Sequence, residues 1–249
     1  MASVASFASE SNGTFSDRVA QLLDRIDCRL AESAEDREAI FRLRYEAYLR
    51  EGAIAPNFSA TFSDPYDEID NAWLFGLYID GELASSIRIH VASEDNRDFP
   101  SRKVFADQLE PELDAGKVIV DPTRFVTHRL HSRLNPGLPH ITLRTAWLAA
   151  AHFGADHFLV AVRAEHQAFY RRTFNHRPVC DPRPYPLLKK PISLMTVHYP
   201  SVADQVHRRY PFFRSTFFER RMLFERGLPL PHVAFRPPAA ANAVGQHAA

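Results

Sequence analysis

The sequence predicts an α/β (α+β) sandwich built around one mixed sheet, and three observations carry that reading. Apolar residues recur first at strand spacing and then at helical spacing, in the order strand, helix, hairpin, strand, helix, strand, helix, strand. The 249 residues are enough to bury a full core. The composition, 45% hydrophobic and 24% charged, is that of an ordinary globular chain.

Each element has a local reason. Residues 1–14 are small and polar and are expected to be disordered, as is the tail 229–249. Between them the sequence predicts one domain over 15–200 and a C-terminal helical extension over 201–228. A short helix over Asp17–Asp24 precedes a strand near Asp27–Glu32. A helix over Glu35–Glu51 follows, with Ile40, Leu43, Ala47 and Tyr48 as its apolar stripe and Gly52 as its stop. The acidic loop DPYDEID leads into a strand at Trp73–Ile79. Asp80-Gly81 then signals a two-residue hairpin. On the returning strand, alternation puts Leu83, Ser85, Ile87, Ile89 and Val91 on one face and Ala84, Ser86, Arg88 and His90 on the other.

A helix near Arg102–Leu113 ends at Ala115-Gly116. The strand VIVDPTRFVTH contains Pro122, which cannot donate to a ladder, so a bulge or an edge is expected there. Pro139 opens a helix that stops at Gly154. His157–Val162 reads as a central strand, Glu165–Phe174 as a helix and Ile192–Tyr199 as a strand. The last segment is an amphipathic helix pair broken at Pro211. Its aromatics Phe213, Phe217 and Leu223 beside them either cap the core, form a dimer contact or lie on a membrane surface.

Charge and cysteine content exclude several classes. Thirty Lys+Arg balance thirty Asp+Glu, which argues against a general nucleic-acid binder. Cys28 and Cys180 are too few for a disulfide framework or a four-thiolate zinc site. No apolar run reaches the roughly 20 residues of a membrane span. No secretory signal is visible, so a reduced, cytoplasmic protein is expected. There is no nucleophile elbow, HExxH, P-loop or dinucleotide fingerprint, and His128-x-x-His131 lacks companion ligands, so no metal site is expected. The charge is uneven, however. Residues 31–70 hold ten acids against four Arg, and residues 129–177 hold seven Arg against two acids. The second stretch is either an ordinary solvated surface or a basic face for an acidic or phosphate-bearing partner.

Four features point to chemistry. Arg44 shares the buried stripe of its helix and needs partners there, or snorkels at its edge. Asp64, Asp67 and Asp70 recur every third residue before a buried strand, in a solvated loop or a site; a calcium loop would need a mid-loop Gly and a terminal Glu. Arg88 lies mid-strand, and Asp121 and Arg124 flank the expected bulge, which suggests an internal ion-pair network around a cleft. Finally, Glu165, His166, Phe169 and Tyr170 open a helix directly after a central strand, a common place for site residues.

Taken together, FRLRYEAYLREG, DPYDEIDNAW, SIRIH and VDPTRFV resemble the bacterial N-acyl amino acid synthases, relatives of the acyl-homoserine-lactone synthases with a GCN5-related N-acetyltransferase-like fold. The resemblance covers roughly residues 27–200. It implies an N-acyltransferase with no bound cofactor, whose partners are an acyl carrier protein bearing a long-chain acyl thioester and a free amino acid. Arg44, Tyr48, Asp64, Arg88, Phe125, Glu165 and His166 then correspond to binding positions, and Asp67, Asp121, Arg124 and Tyr170 to catalytic ones. Asp70 leaves the register of the paired acids open by one repeat. Asp67, Asp121 or a water they hold would act as base, and Arg88 or Arg124 would hold the acceptor carboxylate or brace the acids. One departure stands out. The Q/R-x-x-G-x-G/A segment that cradles coenzyme A pyrophosphate is replaced by RLNPGLPHITLR, which favours a carrier-protein donor. The alternatives are a coenzyme A-dependent N-acyltransferase with another cradle, and a non-catalytic acyl-binding or regulatory module on the same fold.

Overall fold

A computed structural model describes residues 13–186, 188–226 and 233–234. Its strands are β1 (Ile26–Leu30), β2 (Ala72–Ile79), β3 (Glu82–Ala92), β4 (Ile119–Thr127), β5 (His157–Val162), β6 (Arg177–Pro178), β7 (Ser193–His198) and β8 (Val233–Ala234). They form one sheet in the order β6-β7-β5-β4-β3-β2-β1-β8. Every neighbour is antiparallel except β4–β5, so the sheet is mixed as the sequence predicts.

The helices are α1 (Phe15–Leu23), α2 (Ala34–Arg50), α3 (Pro100–Asp114), α4 (Arg129–Leu134), α5 (Leu138–His152), α6 (Gln167–Phe174), α7 (Tyr199–Arg209) and α8 (Phe217–Phe224). Alternation along the strands sorts them into two layers. Val120, Phe158, Val160, Met195 and Val197 join the main core under α5, with Trp147 at its centre. Their neighbours Ile119, Leu159 and Leu194 face the other way and pack with Phe105, Leu109 and Leu113 of α3. Helix α2 covers the same face beside α3, through Ile40 on Leu74 and through Leu43 and Ala47 on Val126.

Local chemistry accounts for the turns. Asp80 and Gly81 have φ of +52° and +87°, the paired left-handed conformation that a two-residue hairpin requires. Ser33 caps α2 by accepting from the Asp36 amide. Thr14, expected in the disordered terminus, instead forms a capping box with Asp17 at the start of α1. The rest of that terminus, residues 1–12, lies outside the described residues, as does the expected tail apart from Val233–Ala234.

One expectation needs correction. A bulge in β3 sets Leu77 opposite Ser85 but Tyr78 opposite Leu83, leaving Ala84 as the extra residue. Leu83 is thereby turned to the α2 face, where it packs on Ile40 and Leu43, away from Ile87 and Ile89. The C-terminal helices close over the main core, one of the readings open for their aromatics. Val202, Val206, Phe212, Phe213, Leu223 and Phe224 are all buried in it, whereas Phe217 is exposed.

A buried ion pair locks this segment down. Arg144, fully buried in α5, meets Glu219 of α8 at 2.6 and 3.1 Å and donates to the carbonyls of Phe212 and Arg214. Removing one partner of such a pair leaves a buried charge uncompensated. Glu219→Ala is therefore expected to cost about 3 kcal/mol, read as a lower urea midpoint at unchanged denaturant slope.

Candidate active site

The site starts where β4 and β5 part. They pair only at Ile119↔His157 and Val120↔Phe158, after which the strands splay. Pro122, with no N–H to give, lies just past that last pair and stays in register with Ile89 of β3. The bulge falls two residues later than Pro122. Ser86↔Val126 and Arg88↔Thr123 enclose one residue of β3 but two of β4, Arg124 and Phe125. Arg124 takes φ of +52°, a strained conformation for a long side chain. Into the gap opens a cavity of about 390 Å³, lined by residues 122–127 of β4, Ala161–Arg163 at the end of β5, the end of α2 and the start of α6.

A chain of ion pairs sits behind the bulge. Asp67 accepts from Arg44 at 2.8 and 3.0 Å and lies 2.9 Å from Arg88. Asp64 accepts from Arg88 at 2.6 and 3.2 Å and from Arg124 at 3.0 and 2.6 Å. The order Arg44–Asp67–Arg88–Asp64–Arg124 thus ties α2 to β3 and to the β4 bulge. The acids are placed by their own loop. Asp64 caps a 3-10 turn at Pro65–Asp67 by accepting from the Tyr66 amide, and Asp67 reaches back to the Asp64 amide. Asp70 is exposed and outside the network.

Electrostatics follow from geometry. Burial opposes the charge of Asp64, but hydrogen bonds from Arg88 and the nearby Arg124 hold it well below the usual carboxylate range. Burial lowers Arg44 to about 10 even beside Asp67. Its Nε and Nη2 have no partner among the described residues, and the guanidinium lies 5.3 Å from the Phe41 ring. For Arg124, burial is outweighed by Tyr48 and Asp64, and its guanidinium rests 4.7 Å over Phe62 and 5.8 Å from Tyr48.

Asp121 is placed differently. It is fully buried opposite His90 in the strand register. One carboxylate oxygen takes a long 3.4 Å bond from the Ser101 amide at the start of α3, and Oδ1 has no partner among the described residues. Burial pushes its pKa up to about 6. Burial, helped by Arg88, keeps the neighbouring His90 neutral, with Nε2 3.2 Å from the Tyr66 carbonyl.

Of the residues singled out from sequence, Tyr48, Arg124, Phe125, His166 and Tyr170 line the cavity. Arg44, Asp64, Asp67, Arg88 and Asp121 do not line it; the first four belong to the ion-pair chain, and Asp121 is buried in β4 beside the Ser101 amide. Glu165 does not line it either. It is exposed at the mouth, 3.4 Å from Arg163 and 3.5 Å from Lys190. His166 is exposed too, within 2.9 Å of Arg163, in a 3-10 turn that precedes α6. Tyr170 is buried, and burial together with Tyr48 raises its phenol, so it stays a proton donor. Sequence reasoning missed Thr123, which accepts from Arg88 Nε at 3.1 Å, and the mouth residues Arg163, Lys189 and Lys190. It missed Tyr185 as well, whose phenol is raised by burial and by the charge of Asp121. Among the described residues no group of three or more His, Cys, Asp or Glu is placed to hold a metal.

The amides at the start of α5 are already engaged. Leu138 N donates to Asn135 O at 2.9 Å, Pro139 has no N–H, and His140 and Ile141 both donate to Gly137 O. A Cβ at Gly137 would come within 2.8 Å of Val19, so α1 closes over this turn. Helix α4, which the sequence pattern does not predict, fills the stretch before it.

The Asp121 carboxyl makes a testable pH signature. Its folded pKa of about 6 lies above the ordinary 3.8, so the folded state holds the proton more tightly and stability falls as pH rises between those values. Asp121→Asn does not titrate. Its stability relative to wild type is expected to improve by up to about 3 kcal/mol from pH 4 to pH 6 and to level off above, in paired urea titrations.

Comparison with known proteins places this geometry. The family model for the N-acyl amino acid synthase FeeM matches residues 39–198. The structure of FeeM, an N-acyl amino acid synthase from uncultured soil microbes, is similar with a TM-score of 0.63 at 18% identity, covering 76% of this chain and 98% of that one. The coenzyme A-dependent acyl-homoserine lactone synthase MesI is similar at TM-score 0.52 and 17% identity, over 77% of this chain and 97% of its own. The acyl-homoserine lactone synthase LasI follows at 0.53 and 12%, over 70% and 88%. No curated protein sequence matches the chain. The splayed strands, the β4 bulge and the family match over 39–198 together place this chain in the FeeM family of N-acyl amino acid synthases, as an N-acyltransferase.

Proposed function

We propose that the protein moves a long-chain acyl group from an acyl carrier protein thioester to the α-amine of a free amino acid. The observation that carries the choice of donor is the closed start of α5. A diphosphate bound there would need amides that Leu138, His140 and Ile141 already spend on backbone carbonyls. A pantetheine arm tethered to a protein needs no such cradle. The rim offers Arg50, Arg163, Lys189 and Lys190, and beside it α4 exposes Arg129 and Arg133, a surface suited to an acidic carrier in the same cytoplasmic compartment.

The acceptor amine attacks the thioester carbonyl and the thiol leaves. Backbone amides of the Arg124–Phe125 bulge face the developing oxyanion, each such donor being worth roughly 3 kcal/mol. An α-ammonium must lose a proton first. Asp67 is saturated by Arg44, Arg88 and the Asp64 amide, whereas Asp121 keeps an unpartnered oxygen and a pKa of about 6, so Asp121 is the base; it does not itself line the cavity and acts through water. Arg88 spends its donors on Asp64, Asp67 and Thr123 and braces them. Arg124 is the one network arginine that lines the cavity and takes the acceptor carboxylate. Tyr170 protonates the departing thiolate and regains its proton from the adduct nitrogen, which thereby sheds its second one to become the amide. Tyr48, Phe125 and Phe169 line the path of the acyl chain.

Mass spectrometry of lipid extracts from bacteria expressing the chain tests this directly. A new N-acyl amino acid is expected with wild type and not with a soluble Arg88→Ala variant. In vitro, a carrier-protein thioester is expected to outperform the matching coenzyme A thioester in kcat/KM by about tenfold or more, as the docked protein adds binding that the free cofactor lacks. Tyr170→Phe is expected to lower kcat on the order of 10²-fold with KM little changed, the mark of a lost general acid.

A further inference from the structure

A second basic site lies away from the acyl cavity. Helices α7 and α8 and the turn between them enclose an open groove of about 500 Å³, lined by Tyr199, Asp204, His207, Arg208, Arg214 and Arg220, among others. It meets α5 at Ala151, whereas the acyl cavity meets α5 at Pro139, twelve residues or about 18 Å along the helix. The two share no lining residue.

Its chemistry is that of an anion site. Three arginines face one aspartate. Arg220 is held by Ser215 through Nη1, and its buried Nε has no partner among the described residues. His207 accepts from the buried Trp147 indole at 3.0 Å, and burial keeps the ring neutral, so its other nitrogen carries a proton. Glu219, the nearest other acid in sequence, is already consumed by Arg144.

Next to the groove the first turn of α8 presents two adjacent rings to solvent. Phe217 is 66% and Phe218 70% exposed, and Arg221 lies 5.8 Å from the Phe217 ring. A single exposed aromatic needs no explanation, but an adjacent pair close in sequence to Arg214 and Arg220, with Arg221 paired to Glu225, has the composition of an interfacial membrane anchor. No helix among the described residues is long and apolar enough to cross a membrane.

We propose that this face docks on an anionic lipid surface, with Phe217 and Phe218 entering the headgroup boundary and the Arg208–Arg214–Arg220 groove taking a lipid phosphate. Charge complementarity selects that occupant, because an anionic leaflet attracts each arginine held at its surface. Docking is independent of the acyl-transfer reading and is measured without donor or acceptor.

The test is co-sedimentation of the full chain with vesicles of phosphatidylcholine alone or with about 30% phosphatidylglycerol, a typical anionic fraction for such assays. Binding is expected only with phosphatidylglycerol and is expected to weaken in high salt. F217S/F218S and R208E/R214E are each expected to lose on the order of tenfold or more in vesicle affinity, while retaining the wild-type circular dichroism and solution mass. The proposal is overturned if the folded wild type binds neither vesicle or both equally. It is equally overturned if inorganic phosphate binds the groove without any vesicle binding. A solution dimer that F217S/F218S dissolves would also overturn it, as the rings would then belong to a second copy of the chain.

Discussion

The structure depends on five alternating charges held out of water. Arg44, Asp67, Arg88, Asp64 and Arg124 belong to four separate pieces of backbone, and each acid is gripped by two of the arginines. Desolvating such groups is expensive, and only mutual pairing with good geometry recovers the cost. The constraint therefore runs outward. Helix α2 must sit where Arg44 reaches Asp67, the 3-10 turn must hold both acids inward, and β4 must bend until Arg124 reaches Asp64. The left-handed backbone at Arg124 is the visible strain of that last demand, and the two bonds to Asp64 and the aromatic rings beneath the guanidinium offset it.

That bend is also what makes room for chemistry. A regular β4 would continue alongside β5, and the space between them would fill with side chains. Pro122 and the bulge end the pairing after two residues, and the gap becomes a cavity with polar backbone on one wall and tyrosines on the other. Rigidity on the ion-pair side and openness on the β5 side suit an acyl-transfer site, which must hold its two reactants in fixed geometry.

Much of this was legible in the sequence because burial leaves a periodic trace. Arg44 fell on an apolar helical stripe and Arg88 on the polar side of an alternating strand, and both are fully buried on the α2 face. The choice among Asp64, Asp67 and Asp70 was not legible. It depends on which aspartate caps the 3-10 turn, and a repeat of three offers each the same local chemistry. The Ala84 bulge was invisible for a related reason: Leu83 and Ser85 satisfy strict alternation as written, and only packing against Ile40 and Leu43 reveals the shift. The sequence localises the β4 bulge to the stretch from Pro122 to Phe125 and no further, because a missing N–H marks where pairing lapses without saying which residue is looped out. The short helix α4 has no apolar face turned to the core apart from His131, so its pattern is that of a loop. For the C-terminal segment, amphipathicity reports that one face is covered and is silent about what covers it, so the choice among core, second copy and membrane stayed open.

The Arg144–Glu219 clasp has a consequence for how the chain is made. The central helix α5 ends at residue 152, and Glu219, whose carboxylate pairs with Arg144 of that helix, lies well beyond it in the chain. At translation speeds of roughly 5–20 residues per second, the nascent protein waits about 3–13 seconds for that carboxylate, with an apolar flank uncovered. During that interval α5 has no finished burial to enter, and chaperones that shield apolar surface have their natural window of engagement.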